Sequence, residues 1–179
     1  MPFIEVIARA LILREDEVLL AHSKGEDNTF LPGGHVEFAE FTEEALKREL
    51  REELGVETEV LGFLGALEYR FEHRNEAHHE INLIFYVEIE GGASRRQEME
   101  SKDLKLEFLW TKIGEIERFN LLPWPLVELI PEWLRARKAF FKSALLNDRV
   151  PTFYYCNLQI CCIWSRVWYY FVYLYYLYN

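Results

Sequence analysis

Gly34-His35-Val36-Glu37-Phe38-Ala39-Glu40-Phe41-Thr42-Glu43-Glu44-Ala45-Leu46-Lys47-Arg48-Glu49-Leu50-Arg51-Glu52-Glu53-Leu54-Gly55-Val56 is the stretch that decides how this chain is read. Just before it, Phe30-Leu31-Pro32-Gly33 joins an apolar pair to residues that interrupt secondary structure, so a loop begins there. Thr42 offers an N-cap oxygen, Glu43 and Glu44 fill a first helical turn, and Gly55 supplies a left-handed terminator. A helix over residues 43–54 follows. Projected at about 100° per residue with Leu46 at zero, Leu50 falls at about 40° and Leu54 at about 80°, a narrow apolar stripe. On the same projection Glu53 falls at about 340°, Glu49 at about 300° and Glu52 at about 240°, so the carboxylates share one flank and Glu49 and Glu53 border the stripe. Like charges at i and i+4 cost a few tenths of a kcal/mol on an exposed helix and more where water is scarce, unless a cation compensates. The ordinary alternative is a solvated face laced by pairs such as Glu44 with Arg48. The glycine loop and its fixed distance from the acids tip the balance toward a site.

Outward from this segment, residues 4–13 and 17–21 form two short aliphatic runs separated by the polar Arg14-Glu15-Asp16, a hairpin signal. Residues 60–69 and 81–89 read as strands joined by the polar segment 72–80, and residues 104–110 as another, with Gly91-Gly92 marking a turn. Residues 121–139, carrying Leu126, Leu129, Ile130, Trp133 and Leu134, predict a closing amphipathic helix. Strands interspersed with two helices imply an α/β fold with a mixed β-sheet.

A glycine, five residues, a glutamate, seven residues, Arg-Glu-aliphatic-x-Glu-Glu-x-Gly-aliphatic is the signature of the Nudix family, and the chain resembles it without a gap. Gly34, Glu40, Arg48, Glu49, Leu50, Glu52, Glu53, Gly55 and Val56 occupy every specified position, far more than a lone glycine loop would offer. The resemblance implies a Nudix-type α/β/α sandwich and a metal-dependent hydrolase in which water attacks one phosphorus of a diphosphate in a nucleoside diphosphate derivative. It implies metal ligation by Glu49, Glu52 and Glu53, with the Gly33 carbonyl as a further candidate. Oxygen donors of this kind suit Mg²⁺ or Mn²⁺. It gives Arg48 the task of orienting the glutamates, makes Glu52 or Glu53 the proton acceptor, and gives Gly34, Glu40 and Gly55 structural roles. It also makes a homodimer an expectation.

The family commonly adds an acid from a later loop, for which Glu98, Glu100 and Asp103 qualify, Glu100 being taken as a candidate ligand. His78-His79-Glu80, read as a loop before a strand, is a weaker candidate, and Tyr69, Phe71 and Phe85 could stack on a base or simply fill the core. Many ADP-ribose hydrolases carry a proline about fifteen residues after the signature; this chain has Arg70-Phe71-Glu72-His73 there. A non-catalytic nucleotide-binding regulator of the same fold is the alternative reading, but such domains lose box acids and this chain keeps all of them. An isopentenyl diphosphate isomerase would need a core cysteine, and none precedes Cys156.

The formal charge of −10 argues against a surface built to grip duplex nucleic acid, while a free nucleotide carried with a cation remains compatible. The N-terminus has no basic region followed by an apolar run, so a cytoplasmic enzyme is expected. The domain is expected to occupy residues 1–144. Residues 145–179 differ sharply, holding Cys156, Cys161 and Cys162 and most of the tyrosines. That composition fits translation past a natural end or an altered frame better than a membrane span, which would bury Arg166.

Overall fold

The computed structural model describes residues 3–73, 75–91, 99 and 101–145, together with the backbone of Phe153 and Tyr154. The expected hairpin is strands β1 (Glu5–Arg14) and β2 (Glu17–Ser23), closed by the Leu13–Val18 and Arg14–Glu17 pairs. Strand β1 then runs parallel to β5 (Glu76–Ile89), which pairs antiparallel with β4 (Thr58–His73). Strand β4 is flanked by the parallel β7 (Phe140–Ala144), whose outer edge takes β8 (Phe153–Tyr154). The short β3 (Thr29–Phe30) and β6 (Leu106–Lys112) pair with β2. The sheet is therefore mixed, as expected, in the order β3-β2-β1-β5-β4-β7-β8 with β6 on β2.

Alternation along β1 explains how both faces are covered. Ala8, Ala10 and Ile12 point to helix α1 (Thr42–Leu54), packing with Leu46, Leu50, Leu54, Phe85 and Val87. Leu11 points the other way, into a cluster with Leu67, Ile84 and the Leu126, Ile130 and Trp133 stripe of helix α2 (Leu126–Ala136). One helix on each sheet face makes the expected α/β/α sandwich.

Several local expectations are corrected. Thr42 is the first helical residue and caps nothing; extended Phe41 is the N-cap, and its carbonyl accepts the Ala45 N–H at 2.9 Å. Helix α2 is shorter than residues 121–139, because Pro125 stands at its N-cap and Arg137 adopts a left-handed φ of 53° at its end. The segment 72–80 is strand almost throughout: β4 continues to His73, Asn75 turns the chain at φ 66°, and β5 resumes at Glu76. His78, His79 and Glu80 thus lie inside β5 rather than in a loop.

Strand β8 shares an antiparallel ladder with β7 through Phe141–Tyr154 and Lys142–Phe153. The three cysteines and the rest of the aromatic segment lie outside the described residues. Among the described residues, no helix is long and apolar enough to cross a membrane.

Gly55 ends α1 at φ 68°, donating its N–H to the Arg51 carbonyl at 2.9 Å, and the Lys102 side chain lies where a Cβ would project. Gly55→Ala is expected to lower the unfolding free energy by about 1–2 kcal/mol, the cost of a left-handed L-residue. Chemical denaturation measures it, and an unchanged midpoint would show that the helix end does not need glycine.

Candidate active site

The glycine loop is laid along the free edge of β1. Ala10 N–H bonds the Pro32 carbonyl at 2.9 Å, Ala8 N–H the Gly34 carbonyl at 2.8 Å, and Val36 N–H the Val6 carbonyl at 2.9 Å. This is why β1 and β2 pair only at their shared turn: the loop has taken the rest of the edge. Loop and helix α1 are consequently held against the same strand, and the acids of the helix meet the backbone of the loop.

Glu53 points into that junction. It is 9% exposed, and its Oε2 accepts the Gly33 N–H at 3.2 Å. Burial raises its pKa to about 7, helped by the charges of Glu49 and Asp103 and opposed by the Gly33 N–H and by Arg9. Glu49 approaches Gly34 so closely that a Cβ there would stand 2.5 Å from its Cδ. The missing side chain at Gly34 is thus what leaves room for the carboxylate in this position. Glu52, by contrast, keeps a side chain 62% exposed, with Oε2 3.7 Å from Arg48 Nη1. The loop thus receives Glu49 and Glu53, while Glu52 stands at the rim.

Arg48 ties the acids to the loop. Its Nε and Nη2 grip both oxygens of Glu40 at 2.9 and 3.0 Å, Nη1 reaches Glu49 Oε1 at 2.8 Å, and Nη2 also bonds the His35 carbonyl at 3.1 Å. Hydrogen bonds to Glu40 and Glu49 raise the Arg48 pKa beyond its ordinary value, and the same guanidinium, with the Glu37 N–H, holds Glu40 below the usual carboxylate range. Arg48 does not pair with Glu44; Lys47 does, at 3.6 Å.

Of the later acids, Asp103 caps its own turn, accepting the Lys105 N–H at 2.8 Å, and the neighbouring Lys102 N–H bonds the Glu53 carbonyl at 2.7 Å, so this loop docks on the end of α1. Glu98 and Glu100 lie outside the described residues. His78 turns to Glu5, Nδ1 to Oε1 at 2.9 Å, and stacks on Phe71 with ring centroids 4.8 Å apart; Tyr69 stacks on Phe71 in turn. Phe85 belongs to the α1-side core. His35 Nε2 contacts the other Glu5 oxygen at 2.8 Å, and although burial pushes the Glu5 pKa up, these two histidines bring it below its ordinary value.

One residue escaped the sequence reading. Arg9, at the centre of β1, sends Nη1 to the Gly33 carbonyl at 2.6 Å and to the Leu31 carbonyl at 3.1 Å, and its guanidinium lies 5.0 Å from the Phe30 ring centroid. Its pKa is lowered by burial, against the attraction of Glu80, Glu53 and Glu49. A lone arginine inside the aliphatic run Val6-Ile7-Ala8-Arg9-Ala10-Leu11-Ile12 was the available signal.

Among the described residues, no three acidic, histidine or cysteine side chains converge into a ready metal cage. The Glu49 and Glu53 carboxylates nevertheless meet at the same glycine turn, and the burial of Glu53 beside a second carboxylate is the electrostatic situation that a hard divalent cation relieves; the Gly33 carbonyl accepts from Arg9 Nη1.

Residues 4–134 match the family model for the NUDIX domain. The chain belongs to the Nudix family. It is 35% identical over 92 residues to an ADP-ribose pyrophosphatase of Methanocaldococcus jannaschii, the match covering 49% of this chain and 52% of that protein. It is 37% identical over 99 residues to an NAD-capped RNA hydrolase, NudC, of Pseudomonas aeruginosa, over 52% of this chain and 32% of that protein. The matched part thus spans about half or less of these curated relatives. In fold, the chain resembles a MutT protein from Bacillus halodurans (TM-score 0.60, 17% identity, 78% of this chain and 88% of that one). It also resembles a MutT protein from Methanosarcina mazei (TM-score 0.56, 22% identity, 76% and 97%).

For this Nudix site the raised Glu53 pKa sets a sign. The folded value of about 7 lies above the ordinary 4.5, so the folded state binds the proton more tightly, and stability falls as pH rises from about 4.5 to about 7. In EDTA, Glu53→Gln is expected to gain melting temperature relative to the wild type across that window. Mg²⁺ at pH 8 should then raise the wild type and leave the variant nearly unmoved. A pH-independent difference between the two proteins would contradict a desolvated Glu53.

Proposed function

We propose that this protein is a divalent-metal-dependent Nudix pyrophosphohydrolase that cleaves a diphosphate bond in a nucleoside diphosphate derivative by attack of water on phosphorus. The observation that carries this reading is the buried Glu53 carboxylate, set beside Glu49 at the Gly33-Gly34 turn. Glu49, Glu53 and the Gly33 carbonyl would hold Mg²⁺ or Mn²⁺, with Glu52 completing the set from the rim and Glu100 as the added acid from the later loop. When bound, the cation supplies neutralisation of phosphate charge and a lower pKa for water.

The chain's own groups do the rest. Oε2 of Glu53 is engaged by the Gly33 N–H, which leaves Oε1 to accept a proton from the attacking water. Glu52, more exposed and without the loop contact, is the other candidate acceptor. Arg48 holds Glu49 in place through its bond at 2.8 Å while Glu40 fixes the guanidinium. Asp103 adds negative charge near Glu53 and so strengthens the need for a cation.

The named activities of the relatives point to adenosine diphosphate linked to a second group: ADP-ribose in one, an NAD cap in the other. We place the substrate in that class. The missing proline after the signature, where Arg70 to His73 form the end of β4, argues for a departure from the usual ADP-ribose enzymes.

The test is product release by the full chain against ADP-ribose, NAD, dinucleoside polyphosphates and nucleoside triphosphates, with Mg²⁺ or with EDTA. One class should be cleaved, only with metal, and Glu53→Gln should lower turnover by about 10² to 10⁴. Metal-dependent binding of nucleotides without turnover would instead identify a non-catalytic domain. A chain ending at residue 144 is expected to keep the activity of the full protein; its loss would extend the catalytic unit to the β7–β8 edge.

A further inference from the structure

Three arginines of this protein bind carboxylates through the same edge of the guanidinium, the one formed by Nε and Nη2. Arg14 closes on the single oxygen Oε2 of Glu17 at 2.9 and 2.7 Å, while Arg48 forks on Glu40 at 2.9 and 3.0 Å and Arg51 on Glu57 at 2.7 Å from each nitrogen. That edge presents two parallel N–H groups at the spacing of two oxygens on one carboxylate or phosphate. Arg9 is built the other way round. Its Nη1 is spent on the Leu31 and Gly33 carbonyls, and its Nε is buried without a hydrogen-bond partner among the described residues.

A buried donor left without an acceptor has given up its water for nothing in return, so its persistence asks for a reason. The two carbonyl bonds and the Phe30 ring fix the guanidinium plane without using the forked edge. The position matters as much as the geometry. Arg9 Nη1 bonds the Gly33 carbonyl, the Gly33 N–H bonds Glu53, and the guanidinium feels the charges of both Glu53 and Glu49, so it lies close to the acids. A diphosphate whose reacting phosphorus sits at those acids carries a second phosphoryl group within a few ångströms.

We propose that Arg9 is a substrate-binding residue whose Nε and Nη2 clamp the non-bridging oxygens of one phosphoryl group of the diphosphate, while Nη1 anchors it to the loop. The inference deepens the hydrolase reading by assigning a phosphate contact to the protein itself. Neighbouring Asn82 is wholly buried and gives its amide N–H to Glu80 Oε2 at 3.0 Å, leaving Oδ1 without a partner. Glu80 attracts the Arg9 guanidinium through its charge and makes no hydrogen bond to it among the described residues.

The probe is methylenediphosphonate, which cannot be hydrolysed, titrated calorimetrically into the full chain with saturating Mg²⁺. Arg9→Gln is expected to weaken binding about 10- to 100-fold, as loss of a charged, bidentate contact should. Arg9→Lys keeps the charge and a donor for the carbonyls, yet should still lose most of the affinity because an ammonium cannot fork. With a substrate found, both variants should raise KM more than they lower kcat.

A measurement on the unaltered protein guards against misfolded variants: the Arg9 Nε–H resonance should move when the diphosphonate is added. Equal affinity in the wild type and a folded Arg9→Lys, or an unmoved resonance, would overturn the assignment. If no nucleotide is cleaved but diphosphonate binding persists and depends on Arg9, the hydrolase reading fails and this one stands. Intact turnover with no dependence on Arg9 removes this one alone.

Discussion

A carboxylate that is 9% exposed and holds one backbone N–H is the constraint around which this molecule is arranged. Water would solvate that charge far better than a single amide can, and burial accordingly drives the Glu53 pKa toward neutrality. Apolar packing of Leu46, Leu50 and Leu54 fixes α1 on the sheet and thereby carries Glu53 into the junction whether or not its charge is compensated. The core thus supplies the free energy that keeps an unfavourable acid in place, a common origin of reactive groups.

The same constraint explains the loop. A chain segment beside a buried carboxylate must offer N–H groups to it and must not bring side chains of its own. Gly33 supplies the N–H, neither Gly33 nor Gly34 brings a side chain, and the seat of the loop on the β1 edge fixes that amide rather than leaving it free to turn away. Arg48 then joins loop to helix through Glu40, Glu49 and the His35 carbonyl. Losing Arg48 would release Glu49 and the loop together, since one guanidinium serves them both.

Much of this could be read from residue order because helical geometry is regular. A 100° step is enough to place Glu53 and Glu49 beside the Leu46-Leu50-Leu54 stripe and Glu52 further round, and the burial of the three acids follows that order. The misreadings arise where long-range contacts override local signals. Thr42 has a capping side chain, yet the loop presents Phe41 at the helix start. His78-His79-Glu80 is polar enough for a loop, but pairing with β4 and β1 draws it into the sheet. Arg9 and Lys142, the latter 1% exposed and 3.4 Å from Glu128, sit on strands whose neighbours are apolar, and only the fold reveals their carboxylate, carbonyl and aromatic partners.

The two arginines nearest the acids divide the electrostatic work between them. Arg48 is saturated: Glu40 takes its fork, and Glu49 and a carbonyl take what remains, so it can hold geometry but has little to offer an incoming anion. Arg9 is fastened by neutral carbonyls and attracted by Glu80, Glu53 and Glu49. A single guanidinium cannot neutralise these acids and the oxygens of a diphosphate at once. On the proposed reading, a divalent cation held by Glu49 and Glu53 would supply the positive charge that a bound diphosphate demands there. Cation and substrate would then depend on each other for binding, the phosphate lowering the repulsion between metal charges and Arg9, and the metal lowering that between phosphate and carboxylates.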